Sequence, residues 1–360
     1  MVNLGRYAAR RFETDKEGRL GVSIRDVAEA AGVSMATVSR ALNGRGNVSE
    51  RSRQRVLHAA TSLGFVPSYT ASSLASGRTR NIGVVLPSVS RWFFSSVLEG
   101  ASKALLDAGY DLTLYNTGEQ PGDRQSVLND FLLRQRLDGI IAISLELTPS
   151  EVKQLLRVRR PVVGVGGPIA GIATLHINEV EIARHAAQHL IGLGHRHIAH
   201  VSGTPEFERD FRLPASRREG FLIAMRDAGL EVRPSWLAAT DFTITGAYDA
   251  SKRLLAAPGG RPSAIFAASD EMAFGAVLAA RDLGLRVPDD LSVIGIDGHD
   301  LGPLFGLTTF DQNPRGQGAA AVKMLLQQLE VDGIAAHSEL IEPEFVVRRS
   351  TAAPAAVRRS

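Results

Sequence analysis

The sequence contains no cysteine, which excludes disulfides, thiol nucleophiles and thiolate metal sites together. Nor does it contain a run of about twenty apolar residues, the length a membrane-spanning helix needs. The opening residues, M-V-N-L-G-R-Y-A-A-R-R-F-E-T-D-K, lack the continuous apolar segment of a secretory signal, so a cytoplasmic location is expected. There is no G-x-S-x-G nucleophile elbow and no P-loop G-x-x-x-x-G-K-[ST]. The glycine-rich G-V-G-G-P-I-A-G lacks the third glycine of a dinucleotide fingerprint and leads into no clear helix. Without a catalytic constellation no enzyme is expected, and no cofactor is called for.

What is present is the composition of an ordinary globular protein. The 360 residues suffice for a small module plus two domains, and 44% hydrophobic against 22% charged residues excludes a mainly disordered chain. The net charge of +3 hides an asymmetry. Residues 1–80 carry 13 Lys and Arg against 6 Asp and Glu, whereas the remainder carries 28 against 32. A basic head on a mildly acidic body points to a polyanion partner for the head, although a solvated charged face has the same composition.

The stretch from Ser23 to Asn43, S-I-R-D-V-A-E-A-A-G-V-S-M-A-T-V-S-R-A-L-N, reads as two short helices broken by a glycine. Ser23 and Asp26 have the spacing of a capping box. Ile24, Val27, Ala28 and Ala31 recur at helical spacing, and Gly32 suits the left-handed residue of a helix stop. Ser34 can cap a second helix with Ala36, Val38, Ala41 and Leu42 inward. Met35, Thr37, Ser39 and Arg40 are left for other faces. A helix, a short turn and a second helix is the unit that lays a recognition helix in the major groove. On spacing alone it is equally an ordinary helical hairpin. Ser49 can cap a third helix ending at Gly64, with Val56, Leu57, Ala60 and Leu63 on one face. The short segment Pro67–Gly77 would need a partner to stay helical, and its one large aliphatic residue is Leu74.

Beyond Arg80 the pattern becomes strands alternating with helices of similar length: Ile82–Leu86, Tyr110–Tyr115, Gly139–Ser144, Val162–Val165, Ile198–Ser202, Ala264–Ala268 and Val293–Ile296. Such alternation implies parallel sheets. Its extent exceeds one open sheet, so two α/β lobes with a cleft are expected. Ligands of such sheets sit beyond the carboxyl ends of the strands, which singles out Pro87, Ser88, Gly166, Ser202, Ser269, Asp270 and Asp297. For the two aspartates, capping the next helix is the bland alternative. Arg217, a hydrogen-bonding fork, and Phe242, an apolar platform, are further candidates. His185, His189, His195, His197 and His200 crowd one region, but a helical i, i+4 pair needs a third convergent ligand, and no metal site is expected.

Taken in order, D-V-A-E-A-A-G-V-S-M-A-T-V-S-R-A-L-N, V-S-E-R-S-R-Q-R-V, A-S-S-L-A-S-G-R-T, I-G-V-V-L-P, L-G-H-R-H-I-A-H-V-S-G, S-R-R-E-G-F, S-D-E-M-A-F-G-A and V-I-G-I-D resemble the lactose/galactose-repressor (LacI/GalR) family of bacterial transcription regulators. The resemblance runs from about Ser23 to near Arg348. It implies a small all-α helix-turn-helix head with a hinge helix, joined to an α/β two-lobed body of parallel sheets resembling periplasmic sugar-binding proteins. The corresponding segments are a flexible extension (1–22), the DNA-binding domain (23–66), the hinge helix and linker (67–80), the effector-binding and dimerisation body (81–348) and a tail (349–360).

By the same resemblance Ser34, Met35, Ala36, Thr37, Ser39 and Arg40 lie on the recognition helix, and Leu74 is the leucine that wedges into the minor groove. Pro87, Phe93, Arg217, Phe242, Ser269, Asp270 and Asp297 fall at effector-pocket positions; for Phe93, as for Trp92 and Phe94, packing is an equal reading. Family members often have asparagine where this chain has Ser269. The partners implied are a pseudo-palindromic DNA operator, a small effector such as a sugar, and a second copy of the chain. The tail lacks the leucine heptads of a tetramerisation helix. The rival readings are a transport-type sugar-binding protein, which would need a signal peptide and no basic head, and a dinucleotide-dependent enzyme.

Overall fold

The computed structural model describes residues 22–42, 47–65, 78–118, 121–132, 137–145, 147–204, 213–258, 260–331 and 337–355. The expectations for the N-terminal extension, the hinge with Leu74 and the last tail residues lie outside the described residues. The chain divides into two compact units between Thr79 and Arg80.

The head is built by local rules. Helix α1 (Ile24–Ala31) opens on Ser23, whose backbone N–H donates to Asp26 Oδ2 at 2.7 Å while the Asp26 N–H returns to Ser23 Oγ at 3.4 Å. It closes on Gly32, whose φ of 61° lets its N–H fold back onto the Ala28 and Glu29 carbonyls. Helix α2 (Met35–Leu42) begins after Ser34, which accepts from the Thr37 N–H at 3.2 Å. Helix α3 (Glu50–Leu63) is capped by Ser49 and stopped at Gly64.

Val27, Ala28, Ala31, Val38, Ala41, Val56, Ala59 and Ala60 form the head's core. Two expectations are corrected here. Ala36 is exposed rather than inward, and α3 packs through Ala59 in place of Leu57 and Leu63, which are 42% and 38% exposed. Helices packed this closely meet through small residues, which pushes longer side chains to the rim.

In the body, β1 (Asn81–Leu86), β2 (Asp111–Asn116), β3 (Gly139–Ile143), β4 (Val162–Val165), β5 (Ala173–His176) and β11 (Ser338–Leu340) make one parallel sheet in the order β11-β5-β4-β3-β1-β2. A second parallel sheet, β7-β6-β8-β9, is made of β6 (Ile198–Gly203), β7 (Leu237–Thr240), β8 (Ala264–Ala267) and β9 (Ser292–Ile294). Their central strands are buried on both faces, as in sheets covered by helices on each side, while the edge strands β11, β2 and β7 are more exposed. Ile82, Val84 and Leu86 face the helices Trp92–Asp107 and Pro314–Glu330, while Val85 faces the opposite layer with Leu128 and Leu155. Ile198 and Phe266 meet the helices Glu179–Gly192 and Leu213–Asp227, and Val201 and Ile265 meet Ile244–Ala256 and Asp270–Asp282.

The chain crosses between the lobes near residues 177–178, 312–313 and 341–343. At the crossings β10 (Thr309–Asp311) pairs antiparallel with β12 (Glu344–Val346). Strands β5, β7, β10 and β11 go beyond the sequence expectations, and the intervening helices differ in length, from Gly302–Phe305 to Pro314–Glu330.

Each major helix pair crosses at a glycine. A Cβ on Gly220 would lie 2.1 Å from the Val180 carbonyl oxygen, on Gly275 2.4 Å from that of Ile244, and on Gly318 2.0 Å from that of Val97. Alanine gains about 0.5–1 kcal/mol over glycine inside a helix, but forcing a methyl against a backbone atom costs about 1–3 kcal/mol. Gly220→Ala is therefore expected to destabilise the body by about 1–2 kcal/mol in urea unfolding; a gain in stability would contradict the close crossing.

Candidate functional site

In the head, α2 turns Val38 and Ala41 into the core, leaving Ser34, Met35, Ala36 and Arg40 exposed and Thr37 and Ser39 partly so. Met35 is 49% exposed. Arg40 lies along its own helix, its Nε donating to the Ala36 carbonyl at 3.1 Å. The six residues thus leave small, hydroxyl and cationic groups and the Met35 thioether outside the head's core. Such groups admit close approach of a polyanion.

In the body, the second lobe gathers its candidates where the strands end. Arg217 extends from the helix Leu213–Asp227 and is only 2% exposed. Its Nε donates to Glu179 Oε2 at 2.6 Å, its Nη1 donates to the Ala268 carbonyl just after β8, and Asp297 Oδ1 stands 3.8 Å from Nη1. Burial draws its pKa down, but the Glu179 and Asp297 carboxylates outweigh this and hold it above the usual arginine value. Asp297 follows β9 with a φ of 139°, a strained backbone for a residue with a side chain. The crossing segment supports it: its N–H donates to the Phe310 carbonyl at 2.9 Å, and Gln312 Nε2 donates to Oδ1 at 2.8 Å. Burial, partly offset by Arg217 and reinforced by Asp270, raises its pKa well above the usual carboxylate range. A carboxyl whose charge is disfavoured by burial suits a neutral hydroxyl partner better than a second charge.

Phe242 follows β7 with a φ of 60°. Its ring lies over Gly203, where a Cβ would come within 2.2 Å of Cε2. Ser269 caps the helix Asp270–Asp282, accepting from the Met272 N–H at 3.3 Å. On the first lobe, Pro87 lies half-buried just beyond β1. Phe93 packs on its lobe's core and meets Phe94 edge-on. Arg91, two residues before Phe93, donates to the Phe242 carbonyl, which brings the two sets together.

Asp270 differs from its neighbours because its oxygens are already occupied. Oδ2 accepts from the Gly298 and His299 N–H groups at 3.0 and 2.8 Å, and Oδ1 accepts from Thr309 Oγ1 at 2.7 Å. It pins the Asp297 loop to the crossing strand, and the cap is Ser269. Glu179, Gln312, Arg91 and Glu271 escaped sequence reasoning. The asparagine cap before Glu179 was the only local signal, and it indicates a helix start, not a site. The histidines are separately employed. His195 contacts Ser263 and Ser292, His189 contacts Thr351, and His200 is stacked between Phe221 and Phe266. Among the described residues no group of three or more His, Asp or Glu is disposed to hold a metal.

Full burial of Asp270 raises its pKa to about 6, despite the Thr309 and backbone hydrogen bonds that oppose the shift. Its unfolded value is near 3.9, so folding takes up a proton between the two. The carboxyl's contribution is greatest below pH 4 and is lost as the pH rises through 6. Asp270→Asn removes the charge and keeps one oxygen to accept from the two loop N–H groups, with its amide NH2 turned to donate to Thr309 Oγ1. The stability of the variant relative to the unsubstituted protein should therefore rise between pH 4 and 6.5, by on the order of 3 kcal/mol at most. Denaturant titrations across that range test this, and a pH-independent difference would refute it.

Comparison with known proteins matches this geometry. Residues 23–68 match the model for bacterial regulatory proteins of the lacI family, and residues 187–351 that for a periplasmic binding protein-like domain. Catabolite control protein A of Priestia megaterium is 34% identical over 337 residues, covering 92% of this chain and 100% of that one. The HTH-type transcriptional repressor CytR of Escherichia coli (strain K12) is 32% identical over 342 residues, with 94% and 98% covered. The lac repressor dimer bound to operator and the anti-inducer ONPF superposes with a TM-score of 0.81 at 25% identity, over 92% of this chain and 100% of that one. A head that presents α2 outward, followed by a two-lobed parallel-sheet body related over nearly its whole length to these regulators, makes this chain a member of the LacI family of bacterial regulatory proteins.

Proposed function

We propose that the protein is a transcriptional repressor that works in the cytoplasm as a homodimer. Its paired heads read a pseudo-palindromic operator, and its body binds a neutral, hydroxyl-rich effector such as a sugar between the lobes. One observation carries the effector class. Arg217, the buried cation of the site, is answered by Glu179 at 2.6 Å and faced by Asp297 at 3.8 Å. No net positive charge remains to hold a phosphate or carboxylate, whereas adjacent donor and acceptor groups suit vicinal hydroxyls. The Phe242 ring supplies an apolar platform for a sugar face. Ser269, Pro87 and Phe93 complete the lining, and Asp270 acts by positioning Asp297.

On the DNA side, Arg40 is the one recognition residue able to make a bidentate contact with a guanine edge. Leu74 at the hinge is assigned the minor-groove wedge. The effector changes operator affinity only through its different affinity for the two lobe arrangements, a coupling typically of about 1–3 kcal/mol.

Arg40→Ala is expected to lose roughly tenfold to a hundredfold in affinity for an operator selected from random duplexes. Leu74→Ala should lower the ratio of specific to non-specific binding. Anisotropy titrations that leave both quantities unchanged would remove these residues from the interface. A thermal-shift screen of neutral sugars, sugar acids, sugar phosphates and nucleosides should raise the melting temperature with neutral sugars, and Asp297→Ala, which removes the polar group, should abolish that rise. Hits confined to anionic compounds would overturn the assignment.

A further inference from the structure

An inner set of the contacts that join the two lobes converges on the start of one helix. Arg91 precedes the helix Trp92–Asp107 as its N-cap residue, yet makes no side-chain cap there. Its guanidinium reaches the other lobe instead. Nε pairs with Glu271 Oε2 at 3.3 Å, Nη1 donates to the Asp241 carbonyl at 3.2 Å, and Nη2 donates to the Phe242 carbonyl. Glu271 also receives the backbone N–H of Trp92, and it belongs to the first turn of the helix Asp270–Asp282. One carboxylate therefore serves the N-terminal ends of two helices from opposite lobes, where backbone N–H groups lack partners and favour negative charge.

A second set of contacts lies outside the first. Arg315 of the first lobe forks onto Asp300 of the second at 3.0 and 2.8 Å, and Trp92 Nε1 donates to Asp300 at 3.2 Å while its ring stacks on His299 at 4.4 Å. The Arg91 and Glu271 side chains are 19% and 17% exposed, against 44% and 56% for Arg315 and Asp300. Solvent screening weakens the outer pair, so the inner pair dominates.

We propose that Arg91 and Glu271 form an interlobe latch that sets the resting arrangement of the lobes and, through the Phe242 carbonyl, ties that arrangement to the effector platform. Releasing it removes three acceptors from Arg91 and the carboxylate from one helix end, so the lobes separate more readily. The consequence for DNA rests on the function proposed above; the latch itself does not.

The chain's lack of cysteine makes the test direct. Lys153→Cys on the first lobe and Arg226→Cys on the second place two spin labels on the full-length protein, and pulsed electron resonance reads the distance between them. Arg91→Ala and Glu271→Ala should each shift the distribution to longer and broader distances. The double substitution should add little to either, because both break one clasp. Arg91→Lys, which keeps the charge but not the fork, should fall between and serves if Arg91→Ala does not fold. Unchanged distances in the single variants, or additive shifts in the double, would overturn the latch. A shift in distance with unaltered operator affinity would uphold the latch and count against its link to DNA binding.

Discussion

A guanidinium that is 2% exposed must be answered from several directions, and the body is arranged around that requirement at Arg217. Isolated, such a charge would cost several kcal/mol. Glu179 answers it from the helix that begins just after the chain first crosses between lobes, and Ala268 from the end of β8. Asp297 faces it from beyond β9. The first crossing, the sheet and the Asp297 carboxyl are thereby held in one geometry by one side chain.

The same region collects the strain. Asp297 and Phe242 both have left-handed or otherwise positive φ, and neither is glycine. Such backbone is held only where the surroundings over-determine it. Here Gln312, Thr309, Asp270 and the pairing of β10 with β12 do so. Asp270, selected because it ends a strand, belongs to this supporting layer, and its burial as a carboxyl is what allows two loop N–H groups to be fixed beside Asp297. This dense support within the second lobe contrasts with the few polar contacts between the lobes at Arg91 and Arg315.

The head was almost wholly legible. Ser23, Asp26, Gly32, Ser34, Ser49 and Gly64 act on backbone groups within four or five residues of themselves, so their roles follow from spacing. Facing was less secure, because Ala59 rather than Leu57 packs inward. In the body the strands with continuous apolar runs were visible. Others were not: β5 (A-T-L-H), β7 (L-A-A-T), β10 (T-F-D) and β11 (S-E-L) carry no continuous run of large apolar residues and become strands by finding a neighbour. Strand β11, all exposed, pairs with β5 more than 160 residues earlier.

Sequence alone determined the order of parts, the caps, the strand cores and the chemical types at the site, because each depends on period, spacing or residue identity over a short span. Only the tertiary structure decided which of those types are free to act. Arg217 and Asp297 remain beside each other at the strand ends, Asp270 is consumed by support, and Arg91 and Glu271 meet across the cleft. The glycines at the helix crossings carry the same lesson, since Gly220 and Gly275 are essential for what they allow a distant carbonyl to approach. Partners separated by up to about 220 residues leave no local trace, because the pairing of buried charges and close backbones is set by distance in the folded chain and not along it.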